Sequence, residues 1–147
     1  PTAILHISLS QGELWIDLIS YDVEMDNPKI VDVIKSAGMA KIHFIADSAE
    51  PKSISELKKL GLSVEGADKG PDSIKNGISA VKRYKLNVTR RSKFLITELE
   101  RYRWAVDGAG NPLNVPIDKF NHALDALRYG VYTLLVSRVK TKTKMWV

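Results

Sequence analysis

The chain contains no cysteine, which excludes disulfides, thiolate metal ligands and a cysteine nucleophile and gives no sign of an oxidising compartment. Histidine is scarce, with three residues in 147, so a metal bound here would be met mainly by oxygen. No apolar run approaches the ~18 residues of a membrane span, and the N-terminus lacks the basic-then-apolar pattern of a signal peptide. A cytosolic setting with no membrane partner is expected. Neither G-x-x-x-x-G-K-[ST] nor G-x-S-x-G occurs, so a P-loop nucleotide site and a nucleophile-elbow serine are excluded. Internal repeats and low-complexity segments are absent too.

What the chain does have is 44% hydrophobic residues over its full length, enough for one globular domain spanning 1–147 with a real core. The formal net charge is +5, an excess that favours a polyanionic partner. Part of it sits in a basic tail, 138–147, where Arg138, Lys140, Lys142 and Lys144 alternate with other residues. Such tails are more often solvated ornament than binding site.

Taken in order, residues 1–10 and 13–21 read as two strands joined by a Gln11-Gly12 turn, an antiparallel hairpin. Asn27-Pro28 opens a helix that stops near Gly38. The run 41–46 (KIHFIA) has the pattern of a strand buried on both faces of a mainly parallel sheet, and it ends at Asp47. A helix from Pro51 to Gly61, a short strand over 62–66 and a helix over 73–84 complete a βαβ unit whose strands are expected to be parallel. An edge strand over 86–89, a helix over 94–102 and a turn-rich hairpin or ordered loop over 104–116 lead to the last helix. The expected class is α/β, a mixed sheet flanked by helices.

That last helix, read from Asp118 to Leu135, joins periodicity to chemistry. Phe120, Leu124, Leu127, Val131, Leu134 and Leu135 fall on one side and are expected to be buried. Asp118, His122, Asp125 and Tyr129 fall on the other, at spacings that let them point into one cleft. A solvated surface helix shows a polar stripe as well, but usually one of Lys and Glu. Asp and His are poorer helix formers and better ligands. Asp47 adds a carboxylate at a strand's carboxyl end, where open α/β sheets bind ligands, although Asp at such a junction often only caps or turns. If the two acidic points converge, carboxylate oxygens select Mg²⁺ or Mn²⁺ over zinc, and two such ions about 4 Å apart support phosphodiester hydrolysis. His122 could then orient a water or carry a proton.

The residues Ile45-Ala46-Asp47-Ser48-Ala49-Glu50-Pro51-Lys52-Ser53-Ile54, Lys69-Gly70, Ser73-Ile74, Gly77-Ile78, Glu98-Leu99, Tyr102 and Asn121-His122-Ala123-Leu124-Asp125-Ala126-Leu127-Arg128-Tyr129 resemble the C-terminal nuclease domain of the large terminase subunit of tailed bacteriophages and prophages. The resemblance covers nearly the whole chain. It implies a ribonuclease H-like fold and a metal-dependent, two-ion endonuclease that cleaves concatemeric double-stranded DNA during genome packaging. It further implies the terminase small subunit and the portal protein as partners of the parent, in the cytoplasm of a bacterial host. By the same resemblance Asp47 and Asp125 are the metal ligands and His122 joins them as a catalytic residue, with Asp118 and Glu50 in possible supporting roles. Lys52, Lys69, Arg90, Arg91 and Arg128 are the candidates for holding DNA.

One departure is expected. Family members carry a first catalytic aspartate on a strand just before a segment like Pro1-Thr2-Ala3, so that strand and the ATPase motor are expected to be missing from this chain. Asp17 is the only early alternative and is not expected to face the site. Two other readings stand beside the terminase one: another ribonuclease H-like nuclease such as a junction resolvase, and a non-catalytic DNA-binding or portal-docking module.

Overall fold

The computed structural model describes residues 1–137, so the basic tail 138–147 lies outside the described residues. Strands β1 (Thr2–Ser10) and β2 (Glu13–Asp22) form the expected antiparallel hairpin, with a bulge between Ile4 and Leu5. Its two-residue turn is left-handed at both Gln11 and Gly12, φ 51° and 75°. That twist matches the flanking strands, and Gly12 adopts it without a Cβ penalty.

Helix α1 (Asn27–Ser36) begins where Asp26 accepts from the Lys29 N–H and Pro28 supplies a first-turn residue that needs no amide partner. Strand β3 (His43–Ala46), helix α2 (Pro51–Lys59) and strand β4 (Ser63–Gly66) make the βαβ unit, with β3 and β4 parallel as expected. Helix α3 (Ser73–Val81), strand β5 (Lys85–Val88) and helix α4 (Lys93–Arg101) follow. Strands β6 (Trp104–Val106) and β7 (Pro112–Pro116) form a small antiparallel hairpin, and helix α5 (His122–Tyr132) runs into a π-helical turn, Thr133–Ser137.

The strands are arranged differently from the single sheet read in the sequence. Among the described residues there is a three-stranded sheet ordered β1-β2-β5, with β5 parallel to β2, and a separate β3-β4 pair. Strand β3 is also less buried than its composition suggests: His43 is exposed, and Phe44, Ile45 and Ala46 are half-buried. Among the described residues β3 is hydrogen-bonded on its β4 side alone, so it is an edge of a two-stranded pair and not an inner strand of a larger sheet.

Alternation along β1 divides the core in two, because successive strand residues face opposite sides. Ile4 points to α1 and α2 and packs with Val31, Ile34, Leu57, Leu62 and Val64. Ala3, Leu5 and Ile7 point the other way, toward the cluster that joins Leu14, Ile16 and Leu18 of β2 to Leu95 of α4 and Leu127 and Val131 of α5. Leu127 is 1% exposed, and burying a leucine to that extent contributes about 1.5–3 kcal/mol. Close fit extends to the backbone: a Cβ on Gly130 would sit 3.1 Å from Ile7. Helix α5 is thus seated on β1 and also touches β3.

Two core expectations for the last helix fail. Phe120 and Leu134 are exposed, at 42% and 41%. The helix starts at His122, not Asp118, because Phe120 has φ 56°, outside the helical region. Phe120 therefore lies before the helix, with the Arg101 guanidinium 5.2 Å from its ring centre. At the other end the π-helical geometry of 133–137 changes the angular phase by which Leu134 was placed.

Candidate active site

Asp47 directly follows β3, and its backbone carbonyl opens the turn into α2 by accepting from the Glu50 N–H. One side-chain oxygen, Oδ1, accepts from the Ala49 N–H at 2.8 Å and from Lys69 Nζ. The other, Oδ2, accepts from the Tyr129 hydroxyl at 3.4 Å. Burial by itself pushes the Asp47 carboxyl up, but the Lys69 ammonium, with the Ala49 N–H and the Tyr129 hydroxyl, outweighs it and holds the carboxyl below the usual range.

Asp125 lies one turn before Tyr129 on α5, and its Oδ1 accepts from Arg128 at 2.8 Å. Tyr129 is flanked by two cations. Lys69 Nζ lies 4.8 Å from its ring centre, and the Arg128 guanidinium lies 4.7 Å away. Asp47 and Asp125 are therefore connected across a single aromatic ring, through Lys69 and Arg128. Asp125 lines a cleft of about 560 Å³ together with Lys69, Lys75, Tyr102, Asp118 and Arg128; Asp47 is not among the lining residues and borders it through Lys69 and Tyr129.

Asp118 reaches this cleft by a different route from the one expected. It precedes α5, so Asp118, His122 and Asp125 do not share a helical face; Asp118 is instead tied to the helix entry by the Asn121 amide, 3.3 Å from its Oδ1. His122, the first residue of α5, is exposed, and its ring meets Tyr21 edge-on at 6.3 Å rather than lining the cleft. Glu50 occupies the cap position of α2 without a side-chain cap bond and is exposed.

The basic candidates divide. Lys69 lines the cleft. Arg128 also lines it but is buried inside the domain, with its stem against Gly77 of α3; a Cβ on Gly77 would overlap Arg128 Cγ and come 2.6 Å from its Cδ, so glycine there makes room for the arginine. Arg91 is engaged elsewhere: its Nε donates to Asp17 Oδ1 at 2.8 Å, and it borders a separate depression with Ile19, Lys29 and Asp32. That pairing, with the Thr89 hydroxyl 2.6 Å from Asp17 Oδ1, engages the Asp17 carboxylate, which is not among the residues lining the cleft. Lys52, on the first turn of α2, and Arg90, after β5, are exposed.

Among the described residues no group of three or more His, Asp or Glu side chains forms a ready metal cage. The donors present still have the right chemistry: Mg²⁺-type cations are often held by one or two carboxylates, with water and substrate phosphate completing the shell. Asp47 and Asp125 fit that pattern.

A residue that sequence reading left without a role is Glu98 of α4. It is 3% exposed, and its Oε2 accepts from the backbone N–H groups of Ala123 and Leu124 at 2.8 and 3.0 Å. The available signal was its position: Leu95, Glu98, Leu99 and Tyr102 follow helical spacing, placing a carboxylate on an apolar stripe.

Comparison with known proteins agrees with this architecture. Residues 1–132 match the terminase RNase H-like domain family. The chain is 32% identical over 117 residues to the terminase large subunit of Bacillus phage SPP1, a match covering 77% of this chain and 27% of that protein. It thus spans about a quarter of that relative's length. The nuclease domain of the SPP1 large terminase, crystallised with bound Mn, superposes with a TM-score of 0.77 at 27% identity, covering 88% of this chain and 76% of that one. The large terminase of a thermophilic bacteriophage shares the fold, with a TM-score of 0.72 at 23% identity over 90% of this chain and 36% of that one. The mixed α/β fold is RNase H-like, and the chain belongs to the family of terminase large-subunit RNase H-like nuclease domains.

Proposed function

We propose that this domain is a divalent-cation-dependent endonuclease that cleaves concatemeric double-stranded DNA during phage genome packaging. The observation that carries the reading is the link between Asp47 and Asp125 through Tyr129, Lys69 and Arg128, beside a cleft bearing lysines. Asp47 and Asp125 would hold the cation, with two ions as the number the family resemblance implies. When bound, the cation supplies neutralisation of the phosphodiester and activation of the attacking water.

The chain's own residues supply the rest. Lys69 and Lys75 put positive charge on the cleft wall, where a phosphate would otherwise be repelled by Asp118 and Asp125. Arg128 keeps Asp125 in one orientation through their hydrogen bond. His122, one turn before Asp125, is the group proposed to carry a proton, and Asp118 and Glu50 are candidates to support the acidic site. Lys52 and Arg90 are exposed candidates for more distant phosphates, while Arg91 would first have to leave Asp17.

A further carboxylate is proposed to arrive on a strand beyond the described ones. What supports this is that, among the described residues, β1 is hydrogen-bonded only to β2, and β3 only to β4, while α5 touches both. These two edges are where an added extended segment would pair.

The test is Mn²⁺ titration calorimetry together with plasmid cleavage, in the longest form of the protein that contains this chain. Asp47→Asn and Asp125→Asn are expected to abolish both the carboxylate-dependent heat and the cleavage while the circular dichroism spectrum is retained. His122→Ala is expected to slow turnover. Cleavage persisting in either aspartate variant would overturn the assignment. No metal heat in the unsubstituted protein would favour a docking module, and faster cutting of four-way junctions than of linear duplex would favour a resolvase.

A further inference from the structure

Helix α5 begins without a cap of its own. Asn121 occupies the cap position, yet its side chain makes no cap hydrogen bond. The first amides of a helix need acceptors, which a neighbouring side chain usually provides. Here the acceptor comes from a different helix: Oε2 of Glu98, buried on α4, takes both the Ala123 and the Leu124 N–H. These are the second and third residues of α5, the positions a local cap would serve. A carboxylate there also meets the positive end of the helix dipole.

The second oxygen is assigned as well. Oε1 of Glu98 accepts from the Tyr21 hydroxyl at 2.9 Å. The Tyr21 ring in turn stacks on Phe94 with centres 4.6 Å apart and planes 12° apart, and makes a T-shaped contact with the His122 ring, their planes 71° apart. Burial, and then the bond to Glu98, push the Tyr21 phenol up to about 12, so it remains a donor across the neutral range. Strand β2, helix α4 and the start of helix α5 therefore meet at one carboxylate.

We propose that Glu98 is a positioning residue for His122 and Asp125: it caps α5 from α4 and, through Tyr21, sets where the imidazole at the helix start is held. Glu98 is not among the residues lining the cleft, and its hydrogen bonds run to Tyr21 and to the Ala123 and Leu124 amides, so it acts through the helix that carries His122 and Asp125. The proposal rests on the nuclease reading for its effect on turnover. Its geometric content stands apart from that reading.

The experiment compares Glu98→Ala, Glu98→Gln and Tyr21→Phe in the protein containing this chain. The readouts are hydrogen exchange at the Ala123 and Leu124 amides, the NMR resonances of the His122 ring, and Mn²⁺-dependent cleavage of duplex DNA. Glu98→Ala is expected to lower protection of those two amides roughly five- to tenfold, to shift the His122 resonances, and to lower kcat by on the order of 10²-fold with KM little changed. Glu98→Gln, whose amide oxygen can accept the same pair of N–H groups, is expected to restore most of the loss. Tyr21→Phe keeps the ring and removes only the hydroxyl, so it stays informative if Glu98→Ala fails to fold; it is expected to shift the His122 resonances and lower kcat severalfold.

Unchanged amide protection and unchanged His122 resonances in a folded Glu98→Ala protein, or in Tyr21→Phe if the alanine variant does not fold, would overturn the proposal. A lowered melting temperature with kcat per folded molecule unchanged would also overturn it, since Glu98 would then be only structural. If the unsubstituted protein cuts no DNA with Mn²⁺, the nuclease reading falls, and the amide and imidazole measurements decide the positioning role alone.

Discussion

The Tyr129 hydroxyl, carried one turn beyond Asp125 on α5, lies 3.4 Å from Oδ2 of Asp47 at the end of β3. At that length the hydrogen bond is weak, so its value lies in geometry more than in stability. Tyr129→Phe keeps the ring between Lys69 and Arg128 and removes only this contact. We expect the melting temperature to move by less than about 4 °C and the Mn²⁺-dependent cleavage rate to fall severalfold. A rate equal to that of the parent would show that the hydroxyl has no part in holding Asp47.

Gly77 is buried on α3, with the Arg128 stem where its side chain would be. Alanine is normally the better helix former, by about 1 kcal/mol. Here the added Cβ would overlap Arg128 Cγ and meet its Cδ at 2.6 Å, and a buried stem has little room to retreat. Gly77→Ala is expected to destabilise the domain by about 1–3 kcal/mol and to disturb the Arg128–Asp125 hydrogen bond. Urea denaturation showing a gain in stability would refute this.

The Asp17 carboxyl is held below its usual range by the Arg91 guanidinium, against a smaller opposing effect of burial and with help from Thr89. A lowered folded-state value means that the pairing contributes stability above the ordinary aspartate pKa of about 3.9, and that this stability is lost as pH falls through the folded value. Asp17→Asn is therefore expected to lower the melting temperature near pH 7 and to make progressively less difference as the solution is acidified toward about pH 2. Melting curves that differ equally at both extremes would contradict the linkage.

Lys69 pairs with Asp47 and also lines the cleft. If it turns to a DNA phosphate when duplex binds, Lys69→Ala should weaken binding equally across sequences. It should also reduce the steepness of log K against log salt by about 0.9, the share of one phosphate contact. Fluorescence anisotropy over a salt series measures this, and an unaltered slope would assign Lys69 to Asp47 alone.

Much of the layout was legible in local pattern. The β1-β2 hairpin, the parallel β3-α2-β4 unit and the helices α1 to α4 follow from turn residues, first-turn prolines and apolar spacing, signals that act over a few residues. The places where that reading failed are those decided from outside the segment. Phe120 and Leu134 fit an apolar stripe, but a left-handed residue and a π-helical turn shift the phase on which a stripe depends. Composition suggested that β3 is sheathed on both faces, yet among the described residues it is half-buried and pairs on one side only, a matter of which neighbours the fold brings to it.

The chain's own residues, met in order, narrow which chemistry is possible: the absence of cysteine leaves no thiolate ligand, and Asp47 and Asp125 stand in recognisable motifs of an α/β domain, the basis of the proposed oxygen-ligand site. They do not settle which charges meet. That Arg128 is folded inward over Gly77 to hold Asp125, that Arg91 is taken by Asp17, and that Glu98 caps a helix starting 24 positions later, at His122, were decided by packing. The physical reason is range. Periodicity and turn chemistry act along the backbone, whereas burial, hydrogen bonding and charge pairing join groups that only the folded chain brings within a few ångströms.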